Sequence, residues 1–64
     1  MTREERIKSE IEVWENTAAI YASDMPDAIK YGDFGGIHYN EHMIEFSRRK
    51  IAELEAELQQ LKSA

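Results

Sequence analysis

The sequence predicts an α+β domain of order α-β-β-α, two antiparallel helices with a short two-stranded β-hairpin between them. Three observations predict it. Residues 3–23 and 41–62 each repeat apolar side chains at intervals of three and four. The stretch between them, AIKYGDFGGIHYN, holds two short alternating runs around three glycines. Pro26 stands between the first helix and the first run, where its ring disfavours a continuing helix. The whole chain, 1–64, reads as one small domain.

The first helix, about 3–23, opens with Thr2 and Glu5 at capping-box spacing, in which each residue's side chain satisfies the other's backbone N–H. Ile7, Ile11, Trp14, Ala18 and Tyr21 follow on one face. Val13 and Ile20 lie off that stripe and are candidates for contact with a partner. The run SDMPD predicts a stop near Ser23.

The hairpin, about 28–39, places Ile29 and Tyr31 on one side of its first strand and Ile37 and Tyr39 on one side of its second. The glycines of the GDFGG link allow the positive φ of a tight turn. Asp33, Phe34 and Gly35 form the tip, and an aromatic held out among glycines is a further candidate for partner contact. A lone ribbon is marginal in water, so it needs Trp14, Tyr21, Met43 and Phe46 to lie on.

The second helix, about 41–62, starts from Asn40 as N-cap with Glu41 in its first turn. Ile44, Ser47, Ile51, Leu54, Leu58 and Leu61 then follow a heptad pattern. The expected core is therefore Ile7, Ile11, Trp14, Tyr21, Ile29, Tyr31, Ile37, Tyr39, Ile44, Ile51, Leu54 and Leu58.

Composition narrows the function. With 42% hydrophobic and 33% charged residues the chain belongs among folded soluble domains, and with no cysteine it forms no disulfide. A domain this small buries little, so oligomerisation is the expected support. Net charge is −5 and the one basic cluster, Arg48 to Lys50, points three ways on a helix, so no sequence-specific nucleic-acid partner is expected. The longest apolar run is AAIYA and the N-terminus is charged, so neither a membrane span nor a secretory signal is expected. No nucleophile stands with a base, and GDFGG lacks the lysine and hydroxyl of a phosphate loop, so no enzyme and no cofactor are expected. His38, Glu41, His42 and Glu45 read as polar surface rather than a metal site, since no further ligand completes a closed set.

The elements IKYGD (Ile29 to Asp33), IHYN (Ile37 to Asn40) and RRKIAELEAELQQL (Arg48 to Leu61), in this order, resemble the small head-tail joining proteins of tailed bacteriophages, the lambda W-like group. The resemblance implies a virion structural protein, a subunit of a ring beneath the portal that closes the DNA exit. Its implied partners are copies of itself, the portal protein and a further neck or tail protein. Its implied location is the virion neck, with the host cytoplasm during assembly. The GDFGG link is longer and richer in glycine than the family's usual turn, and the basic tail of that family is missing after LKSA. The alternative from the residues alone is a small cytoplasmic helical interaction protein, either a coiled-coil dimer through the second helix or an inhibitor of a host protein.

Overall fold

A computed structural model describes residues 1–63. It contains two antiparallel helices, α1 (Arg3–Lys30) and α2 (Phe34–Ser63), and a three-residue turn. Among the described residues there is no strand, so the β-hairpin and the α+β class are overturned: the chain is an all-α helical hairpin. It is long and thin, 49 × 17 × 12 Å.

α1 begins as expected. The Thr2 hydroxyl accepts from the Glu5 N–H at 3.1 Å, and a Glu5 carboxylate oxygen accepts from the Thr2 N–H at 3.4 Å. It does not stop at Ser23 but runs through Pro26 to Lys30. Proline forfeits its own backbone bond and its ring crowds the carbonyl of Ala22, an exposed residue whose oxygen can tilt outward to water. The three-four spacing continues across Pro26 from the half-buried Tyr21 and Met25 to Ala28, so burial of this face outweighs the local penalty.

The turn explains the glycines differently from a β-hairpin. Gly32 takes φ +64° directly after α1. Its N–H donates to Ile29 O at 3.2 Å, and the N–H of Asp33 donates to Ala28 O at 2.9 Å, the paired bonds of a Schellman motif. Asp33 then starts α2: its Oδ1 accepts from Gly36 N–H at 3.0 Å and its carbonyl from Ile37 N–H at 2.9 Å. The carboxylate lies so close over Gly36 that a Cβ there would push the Asp33 side chain aside and disturb this cap.

α2 therefore starts at Phe34, six residues before the expected cap. Asn40 is no cap but a seam residue, 7% exposed. The heptad pattern extends backwards from Ile44 through Asn40 to Ile37. Three contacts fix the register between the helices: Arg3 to Glu57, Trp14 to Phe46 and Tyr21 to Tyr39. Eleven residues separate Arg3 from Trp14 and Glu57 from Phe46; seven separate Trp14 from Tyr21 and Phe46 from Tyr39, as a uniform antiparallel pair requires.

In this register Ser47 and Asn40 each follow the α2 residue that meets Trp14 or Tyr21, and both of these small polar seam residues are buried. Ser47 is 0% exposed, and its hydroxyl is satisfied by donating to Met43 O at 2.7 Å. The seam is thin. Ile7, at 3%, is the one buried apolar side chain among the described residues, while Ile11, Trp14, Tyr21, Ile37, Ile44, Ile51, Leu54 and Leu58 are half-buried. Three expected core residues are exposed instead: Ile29, Tyr31 and Tyr39. On a ribbon their side chains would share one covered face; here Ile29 lies on α1 outside the seam, Tyr31 lies in the turn and Tyr39 lies on the flank of the α2 seam.

Candidate interaction surface

The feature that sets this hairpin apart is what lies beside the seam. Val13, Thr17 and Ile20 each precede a seam residue of α1 (Trp14, Ala18, Tyr21), and Tyr39, Met43 and Phe46 each precede one of α2 (Asn40, Ile44, Ser47). Stepping back one residue rotates a side chain about 100° from the seam. Because the helices run antiparallel, the same backward rotation points both stripes to the same side of the hairpin. The residues that follow seam positions point to the other side, and there the chain places Lys8, Glu12 and Glu15 on α1 and Glu41, Glu45, Arg48 and Glu55 on α2, with small or neutral residues such as Ala19, Ala22 and Gln59 between them and the exposed Ile29 near the turn. One broad face is apolar at its middle; the other is predominantly charged there.

The apolar face is held in shape by aromatic edges. Phe46 meets Trp14 with ring centroids 5.5 Å apart at 69°, and Tyr39 meets Tyr21 at 5.7 Å and 72°. Such edge-to-face pairs contribute about 0.5–1.5 kcal/mol each beyond their burial. Hydrogen bonding with Tyr39, then the charge of Tyr39 when ionised, then partial desolvation and the Asp24 carboxylate hold the Tyr21 phenol above its ordinary 10.0. Lys50 lies over the Phe46 ring at 5.6 Å and pairs with Glu53 at 3.8 Å, bounding the face toward the termini. Between these anchors Val13 stays 59% and Ile20 60% exposed.

Toward the turn the same face carries an open cleft of about 340 Å³ lined by Asp24, Asp27, Asp33 and Asn40 with Ala28, Tyr31 and Gly36. Lys30 is turned to the Tyr31 ring at 5.5 Å. No group of three or more His, Cys, Asp or Glu side chains placed to hold a metal ion occurs among the described residues. Among the described residues no helix is long and apolar enough to cross a membrane.

The partner-contact candidates named from the sequence divide between two places. Val13 and Ile20 are on the apolar face. Asp33, Phe34 and Gly35 are at the turn, where Phe34 is 81% exposed but begins a helix rather than tipping a ribbon. Tyr39, Met43 and Phe46 complete the face and were read instead as a hairpin strand and its support. Their four-three spacing, identical to that of Val13, Thr17 and Ile20, is the signal that identifies them once residues 34–40 are helical. No family model matches the chain, and no curated protein and no solved structure matches it.

Proposed function

We propose that the chain is a helical-hairpin interaction module that works by docking its Val13, Ile20, Tyr39 and Phe46 face onto another helical surface. The observation that carries this is the contrast between the middles of the two faces: Val13, Ile20 and Tyr39 stand more than half exposed beside the partly exposed Phe46 on one, while charged side chains predominate on the other. A contiguous apolar patch with polar borders marks an interaction site, and interfaces are enriched in the aromatics found here. The resemblance to a phage neck-ring subunit drew its weight from the hairpin and the chain length; residues 28–40 instead form the end of α1, the turn and the start of α2, which removes the first of these. The helical interaction protein is the reading carried forward, with the heptads of α2 engaged by α1 of the same chain.

The test uses the absence of cysteine, which makes any introduced thiol unique. An environment-sensitive fluorophore on Thr17→Cys is expected to shift to the blue as concentration or added partner rises, while the same label on Ala22→Cys, on the charged face, stays unchanged. Shielding at position 22 without shielding at position 17 would contradict the assignment of the face.

A further inference from the structure

We propose that the occupant of this face is a second copy of the same chain, docked antiparallel across a two-fold axis to form a four-helix bundle. The inference rests on the reading of the face given above and adds the partner and its orientation.

Need comes first. A hairpin with Ile7 as its one buried apolar side chain among the described residues has almost no core, and domains of this size take support from oligomerisation. A second apolar layer laid on Val13, Ile20, Tyr39 and Phe46 would turn an exposed flank into a core without disturbing the seam. Size agrees. The 49 × 17 Å outline of the hairpin offers on the order of 800 Å² per copy, the share of each partner in a standard stable interface. The patch is also self-complementary in the way a two-fold requires: its two stripes have the same spacing and lie at the same level along the hairpin.

Charge chooses the orientation. Toward the turn the face carries Asp24, Asp27 and Asp33. Toward the termini, among the positions preceding seam residues or facing α2, come the cations Arg3, Arg6 and Lys50, interleaved with Glu10, Glu53 and Glu57. Docking with both turns at one end would gather six aspartates of two copies, a like-charge juxtaposition that interfaces avoid. Antiparallel docking lays each aspartate end on the cation-bearing end of the other copy. The levels match: Lys50 lies four residues beyond Phe46 on one side of the patch, and Asp24 four residues beyond Ile20 on the other. The charge of −5 opposes association, and the docking face itself holds more acids than cations, so the dimer is expected to tighten as salt screens these charges beyond about 8 Å.

The experiment combines sedimentation equilibrium with a pulsed-dipolar distance on spin-labelled Gln59→Cys, a position on the charged face sixteen residues along α2 from Met43. A rise of 1.5 Å per residue places the two labels about 50 Å apart in the antiparallel dimer and under about 30 Å apart in a parallel one. A dimer with the long distance, weakened at least tenfold by Lys50→Glu and recovered when Asp24→Lys is added, supports the proposal. A dimer with the short distance overturns the orientation. A monomer at all concentrations up to about 1 mM overturns self-association but leaves the face to its own fluorescence test. A dimer in which Thr17→Cys stays unshielded overturns this proposal and the reading of the face together.

Discussion

Ile7→Ala is expected to lower the stability of the hairpin by about 2–5 kcal/mol, measured by urea or thermal unfolding followed by circular dichroism. Ile7 is 3% exposed and meets the α2 seam near Leu54 in the register set by the aromatic pairs. The lost side chain leaves a void between the two helices at the end of the hairpin away from the turn. Small domains are stable by about 5 kcal/mol or somewhat more, so this one truncation consumes a large part of the total. The Arg3–Glu57 ion pair at 2.8 Å closes the same end, but its partners are half-exposed and add no more than about 1 kcal/mol. A loss below about 1 kcal/mol for Ile7→Ala would show that the seam is not what holds the helices together.

Ile20→Asp is expected to act in the opposite sense, leaving the seam intact and abolishing association. Ile20 is exposed in the single hairpin, so a carboxylate there costs little until the face is covered. Once covered, it is an unpaired charge in an apolar interface, with a penalty of several kcal/mol. The expected result is a helical protein whose dissociation constant rises at least a hundredfold and whose melting temperature no longer depends on concentration, since linkage between folding and assembly is lost. Ile20→Ser, which removes the apolar contact without adding charge, should fall between the two. Unchanged self-association of Ile20→Asp would remove Ile20 from the interface.

Much of the hairpin was legible in the sequence. The capping box at Thr2 and Glu5, the seam through Ile7, Ile11, Trp14, Ala18 and Tyr21, and the heptads from Ile44 to Leu61 are local patterns with one physical reading. The misreading lies in residues 24–40. The run SDMPD signals a stop because the penalty of Pro26 is local, whereas what overrides it is the partial burial of Met25 and Ala28, which appears only once the chain has folded back as α2. The runs IKY and IHY alternate over only three residues each, too short to separate a strand from the half-exposed edge of a helix. Three glycines suggest a β-turn, but two of them answer helical demands: Gly32 supplies the left-handed residue that ends α1, and Gly36 leaves room for the Asp33 carboxylate that starts α2. The single aspartate serving both helix ends is what makes so short a connection possible.

The interaction surface was half legible for the same reason. Val13 and Ile20 stood out because α1 was correctly a helix at those positions. Tyr39 was spent on a strand and Met43 and Phe46 on supporting it, so the second stripe of the face went unseen. Phe34 is exposed at the turn, away from the apolar patch.

The most direct test of the account is backbone carbon chemical shifts across residues 24–40, measured in solution. The account predicts helical shifts continuing through Pro26 to Lys30, a break confined to Tyr31, Gly32 and Asp33, and helical shifts resuming at Phe34, so that Tyr39 shares a helix with Phe46. Strand shifts at Ile29 to Tyr31 and at Ile37 to Tyr39 would restore the β-hairpin, take Tyr39 off the apolar face and contradict the account.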